Sequence, residues 1–260
     1  MIYATDLDRT IIFSNKFLED CDDEVVCVEE YEDKPISYMS VSSLNLLEKL
    51  KEKPNLSIIP VTTRSVAQFK RVRPVQDCEF AITSNGGTIL HRGKVFIPWY
   101  NHINSILLSY KKDFKKLKNL LMNYVDYYKK MPKLVDNMFF FMKLKDNEEK
   151  NQELLGILDD ILDKDKWEFT LQGLKLYVIP KEISKENALE YLKKYLKADK
   201  LIVSGDGKLD IGFLKIGDIR IIPDGSEVLE YAPTQSFVYK SVPEGLNGTV
   251  DLFKIIKNNL

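Results

Sequence analysis

Short apolar and β-branched runs alternate along the chain with stretches whose apolar residues recur every three or four positions, the rhythm of strands joined by crossover helices. The first run is Ile2 to Thr5, followed by a helical pattern near residues 39 to 53 and a strand at Ser57 to Val61. The alternation resumes with a helix after Arg64 and with strands at Glu79 to Ile82, Lys200 to Ser204, Arg220 to Ile222 and Phe237 to Tyr239. Between Ser184 and Lys197, residues Ala188, Leu189, Leu192, Tyr195 and Leu196 fall on one helical face and lysines on the other. That is the spacing of a helix docked on a sheet. The class this predicts is α/β, with a parallel-sheet core and helices on both of its faces.

Between about residues 92 and 180 the pattern changes. It predicts a long helix near 103 to 130, a strand through Met138 to Met142, a helix near 148 to 163, and two strands ending at Tyr177 to Ile179. A smaller α+β unit is therefore expected as an insertion at 92–180, with the core made of 1–91 and 181–260. The length of 260 residues suits a core domain plus a smaller one. Residues 19 to 33 hold nine acids and no lysine or arginine around a short strand at Val25 to Val28, which reads as a solvated excursion. Residues 111 to 133 carry eight lysines opposite Phe114, Leu117, Leu121, Val125 and Tyr128, which reads as the solvated face of the long helix.

Composition narrows the classes. With 44% hydrophobic and 30% charged residues, the chain is able to bury a real core. The charges nearly cancel, 38 Lys and Arg against 39 Asp and Glu, so nothing in the total favours nucleic acid or an anionic membrane. Asp6 interrupts the amino terminus before a signal peptide's apolar stretch, and no run approaches ~18 apolar residues, so a cytoplasmic protein is expected. Cys21, Cys27 and Cys78 lack the paired spacing of a zinc or redox motif and read as free thiols in a reducing compartment. His91 and His102 are too few for a histidine metal site or a serine triad. No glycine-rich loop ending in glycine, lysine and serine or threonine occurs, and Gly205 and Gly207 lack the third glycine of a dinucleotide fingerprint.

Asp6 and Asp8 follow directly on the first apolar strand, at the carboxyl end where open α/β sheets bind ligands. Two acids crowded into one turn repel each other and lose solvation, which calls for a cation or a shared proton. Three further places share this position at strand ends or loop-to-helix junctions. They are Val61 to Arg64, the helix opening at Ser184 and Lys185, and the run from Ser204 through Asp206 to Asp210.

This ordered set resembles the four motifs of the haloacid dehalogenase superfamily, and the insertion between the second and third resembles the Cof-type, sugar-phosphatase branch. The resemblance implies a Rossmann-like core with a cap, and a Mg²⁺-dependent phosphatase acting on a small phosphorylated metabolite. By it Asp6 would be the nucleophile, Asp8 the acid and base, Thr62 a phosphate ligand, Lys185 the phosphate-neutralising cation, and Asp206 and Asp210 the metal-binding acids. A main-chain carbonyl at Asp8 would add a metal ligand. Thr10 would orient the acid, and Arg64 and Asn85 would lie near the phosphate and the substrate.

The sequence departs from the family pattern in two places. Thr63 replaces the usual glycine of the second motif, so Thr62 or Thr63 would contact phosphate, with Thr62 nearer the strand end. The fourth motif lacks an asparagine, so Asp210 would act on the metal directly or through water. Lys181 is the alternative to Lys185, and the helix-opening pattern favours Lys185. A phosphomutase on a hexose phosphate would use the same groups, as would a non-catalytic phosphometabolite sensor, so the motifs leave three functions open.

Overall fold

The computed structural model describes residues 1–231 and 239–260, so Phe237 and Val238 of the last expected strand lie outside the described residues. Contacts divide the chain into two compact units, Met1–Phe96 with Lys185–Leu260, and Ile97–Ser184.

The first unit opens with β1 (Ile2–Thr5), every residue of which is buried. A hairpin follows, β2 (Val25–Tyr31) and β3 (Lys34–Ser40), leading into α1 (Val41–Lys51). Ser40 begins that helix by accepting the Ser43 N–H on its side chain. Then come β4 (Ser57–Pro60), the single turn α2 (Val66–Phe69), and the small strands β5 (Phe80–Thr83), β6 (Thr88–His91) and β7 (Lys94–Val95).

The second unit contains α3 (Ile97–Leu121), β8 (Tyr128–Val135), β9 (Phe139–Leu144), α4 (Glu148–Ile161), β10 (Trp167–Gln172) and β11 (Lys175–Pro180). The chain returns to the first unit through α5 (Lys185–Tyr195), β12 (Leu201–Ser204), α6 (Ile211–Lys215), β13 (Ile219–Pro223), α7 (Glu227–Tyr231), β14 (Lys240–Val242) and α8 (Gly245–Lys257).

The core sheet is parallel, in the order β14-β13-β12-β1-β4. Tyr3, Ile58, Ile202 and Ile221 pack against Leu47 and Leu50 of α1 and Leu252, Phe253 and Ile256 of α8. Their neighbours Ile2, Ala4, Ile59, Leu201, Val203 and Ile222 are buried too. Alternate residues of a strand point to opposite faces, so the sheet is covered on both, as a parallel sheet must be. The strand expected at Glu79 to Ile82 is not part of this sheet. It forms β5 of a separate antiparallel β5-β6-β7 sheet, which joins the core through a parallel bridge between Val61 and Ile82 and through Ala81 and Leu90 packed into the core cluster.

In the second unit the antiparallel sheet β10-β11-β9-β8 carries α3 and α4 on one face. Tyr110, Leu117 and Leu121 of α3 and Leu154 and Leu158 of α4 meet Phe140, Met142, Leu176 and Val178 there. The helix expected to reach residue 130 stops at Leu121. Tyr124 leaves helical geometry at φ −113°, and Tyr128–Val135 becomes an edge strand paired with β9. Val125 is accordingly exposed, and Lys129, Lys130 and Lys133 lie on a strand edge, where lysine discourages pairing with other chains. Among the described residues no helix is long and apolar enough to cross a membrane. All three cysteines are free.

Candidate active site

Pairing in the core sheet brings the candidate residues together. Thr5 sits between Ser204 of β12 and Pro60 of β4, so the carboxyl ends of three neighbouring strands open side by side. The Asp6 N–H still donates to the Ser204 carbonyl at 2.9 Å, which fixes the first acid beside the loop holding Asp206. Beyond it the chain turns sharply. The N–H groups of Ile11 and Ile12 both donate to the Leu7 carbonyl, and Arg9 adopts φ 61°, a left-handed conformation uncommon for a residue with a side chain.

Lys185 reaches this turn because of its place on α5. It stands three, four and seven positions before Ala188, Leu189 and Leu192, all buried, so it shares their inward face. Its Nζ donates to Asp6 Oδ1 at 2.6 Å and to Asp210 Oδ1 at 2.5 Å while its side chain is only 2% exposed. Lys181, by contrast, is exposed. Asp210 closes its own loop, Oδ2 accepting the N–H groups of Asp206 at 3.1 Å and Gly207 at 2.8 Å. Glycine is required at 205, where a Cβ would come within 2.8 Å of the Asp210 side chain.

Oxygens of Asp6, Asp206 and Asp210 lie within 4.8 Å of one another. Burial, opposed by Lys185 but aided by Asp210 and Asp8, pushes the Asp6 carboxyl up to about 7. Burial, Asp6 and Asp210 likewise raise Asp206 well above the carboxylate range. Burial works against the charge on Lys185, but Asp210 and Asp6 outweigh it and its pKa rises. Three buried carboxylates thus face one buried ammonium, with Arg9 adding a half-exposed guanidinium 3.5 Å from Asp206. The Thr10 hydroxyl, in the same turn, is buried and has no hydrogen-bond partner among the described residues. An oxygen-rich, acid-heavy cluster of this kind fits a hard divalent cation.

Thr62 is fully buried, its hydroxyl accepting the Arg64 N–H at 3.2 Å, whereas Thr63 is partly exposed. The turn at Ser84 to Gly86 lies against the same segment. Ser84 N–H donates to the Arg64 carbonyl at 2.7 Å and Asn85 N–H to the Thr62 carbonyl at 3.1 Å. Asn85 itself is buried at φ 56°.

Arg64 grips Asp8 with two donors, Nε to Oδ2 and Nη2 to Oδ1, both at 2.8 Å. Its Nη1 donates to Glu29 Oε2 at 2.7 Å, which leaves two of its five N–H groups for other acceptors. Glu29 is the residue that sequence reasoning missed. The acidic stretch expected to be a solvated excursion is a hairpin arm with most of its acids exposed, but its strand extends to Tyr31 and its Glu29 has 0% exposure. Buried Val28 and Glu29 are adjacent, so no two-residue alternation marks the position.

No protein-family model and no curated protein sequence matches the chain. Solved structures do match, over nearly its whole length. The sucrose-phosphatase of Synechocystis sp. PCC6803, solved with sucrose and phosphate, superposes with a TM-score of 0.69 at 16% identity, covering 99% of this chain and 98% of its own. The chain has the fold of haloacid dehalogenase superfamily phosphatases. A trehalose-6-phosphate phosphatase related protein gives 0.63 at 15% identity over 100% of this chain and 98% of its own. The superfamily's subclass IIB sugar phosphatase BT4131 gives 0.59 at 15% identity over 99% and 98%.

Proposed function

We propose that the protein is a Mg²⁺-dependent phosphatase that hydrolyses a small phosphomonoester, a sugar phosphate, through an aspartyl-phosphate on Asp6. The observation that carries this reading is Lys185, buried and bonded to both Asp6 and Asp210 within a cluster of three acids. The matched structures named for sucrose-phosphatase and sugar phosphatase support the substrate class.

Asp6, Asp206 and the Asp8 carbonyl would hold Mg²⁺. Asp210, whose oxygens already serve Lys185 and its own loop, would act on the metal through water. When bound, the cation neutralises phosphoryl oxygens that otherwise repel an attacking carboxylate. The chain's own groups perform the rest. Asp6 must be ionised to attack, and Lys185 opposes the burial that favours its proton. Its oxygen forms a bond to phosphorus as the bond to the sugar oxygen breaks, and Asp8 gives that oxygen its proton. Asp8 then takes a proton from water, which attacks phosphorus, releases phosphate and restores the Asp6 carboxylate. Thr62 donates its hydroxyl hydrogen to a phosphoryl oxygen, with Arg64 and Asn85 beside it.

We assign catalysis to residues 1–91 and 181–260 and choice of the leaving group to a cap at 92–180, and we place the enzyme in the cytoplasm. A panel of phosphorylated metabolites, assayed with and without Mg²⁺, tests the reading. Release of inorganic phosphate from sugar phosphates only with Mg²⁺ is expected. No release from any compound would overturn it, as would an isomerised phosphate with little free phosphate.

A further inference from the structure

Glu29 is a carboxylate with no exposed surface on a hairpin whose composition marks it for solvent. An ion removed that far from water persists only when partners neutralise it. Here there are three. Oε2 accepts the Ser37 hydroxyl at 2.7 Å and Arg64 Nη1 at 2.7 Å, and Oε1 accepts Arg71 Nε at 3.1 Å. A bulge turns the residue inward, since the β2–β3 register slips on both sides of Glu29. The hairpin is also fastened to the turn that carries Asp8. Phe13 and Tyr38 exchange both backbone hydrogen bonds, at 3.0 and 2.8 Å.

The consequence falls on Arg64. With Nη1 on Glu29 and with Nε and Nη2 on Asp8, its guanidinium plane is held from two sides. The Asp8 side chain is 49% exposed, so burial alone does not hold it. Ser37 and Arg71 keep Glu29 in place when a substrate anion competes for Arg64.

We propose that Glu29 is a positioning residue for phosphoryl transfer: through Arg64 it fixes where the Asp8 side chain stands, so that once Asp8 is protonated in the substrate complex its proton lies within reach of the leaving oxygen. The proposal rests on the phosphatase reading above. A general acid works only within hydrogen-bond reach of its partner, and a displacement of about 1 Å costs roughly a hundredfold in rate.

Leaving groups separate this role from a merely structural one. The p-nitrophenolate ion departs without a proton, whereas a sugar hydroxyl needs one. In Glu29→Gln, kcat/KM should fall about ten- to a hundredfold further on a sugar phosphate than on p-nitrophenyl phosphate. Ser37→Ala, which removes one bond to Glu29, should shift the ratio the same way by less, and it carries the test if Glu29→Gln does not fold. Equal losses on both substrates would overturn the proposal.

A thermal double-mutant cycle of Glu29→Gln and Asp8→Asn needs no activity. The combined loss in Tm should differ from the sum of the single losses by about 2–4 °C, and simple additivity would overturn the link through Arg64. A parent protein that hydrolyses neither compound with Mg²⁺ would refute the phosphatase reading, and the cycle would still decide whether Glu29 and Asp8 are coupled.

Discussion

Two charged clusters lie at the carboxyl end of the core sheet, and they are built to opposite plans. Around Asp6, three carboxylates with at most 7% exposure share one buried ammonium, and a threonine hydroxyl in the same turn has no partner among the described residues. Around Glu29, two carboxylates meet two arginines and a serine hydroxyl, all in hydrogen-bond contact. The first has more negative charge than its surroundings neutralise, so it is an unfinished site that a cation and a phosphoryl group would complete. The second is balanced within the chain, so it suits holding side chains still. The same residue types therefore serve two ends, and the charge balance tells them apart.

The sharpest way to break the contrast is Asp6→Asn, which should lower turnover of an aryl phosphate by more than about a thousandfold. Unchanged turnover would remove Asp6 as the nucleophile. Next, Lys185→Met leaves three buried carboxylates without their ammonium. The metal-free protein should lose about 3–5 kcal/mol, read as a fall in Tm of roughly 10 °C. A neutral outcome would mean that the acids do not depend on that charge.

A smaller effect is expected from Mg²⁺ itself, at about a hundred times its dissociation constant. It should raise Tm by about 5–10 °C at pH 8 and by less at pH 5. The sign follows from Asp6, raised from 3.8 to about 7 in the folded chain. Between those values the folded state holds a proton that the unfolded chain has lost, so the stability that Asp6 contributes to the metal-free protein is fully present below about 4 and is lost as pH rises through about 7. Above that range the bare carboxylate is costly and the cation most useful. An equal gain at both pH values would dissolve the distinction between the clusters. Arg71→Ala should show the least, about 2 kcal/mol, because Arg64 and Ser37 still hold Glu29. That loss should be the same with and without Mg²⁺, as measured by urea unfolding.

Much of this molecule was legible in the chain. Ile2–Thr5 and Leu201–Ser204 are short apolar runs because parallel strands are covered on both faces, and acids at their ends mark the sheet's ligand edge. Lys185 was legible from the helix-opening pattern that begins at Ile183, although its burial on the inward face of that helix was not. The end of α3 was not, because the pattern over residues 122 to 130 suits a helix while pairing with β9 claims Tyr128–Val135 as a strand. By itself the sequence determined the α/β class and the order of the four acidic and basic motifs, since periodicity and spacing are local properties. Only the tertiary structure decided that Glu29 is buried and bonded to Arg64, that Arg64 is turned to Asp8, and that Asp210 holds Lys185. Those facts depend on a strand bulge and on side chains 25 to 56 positions apart, and no local pattern records such distances.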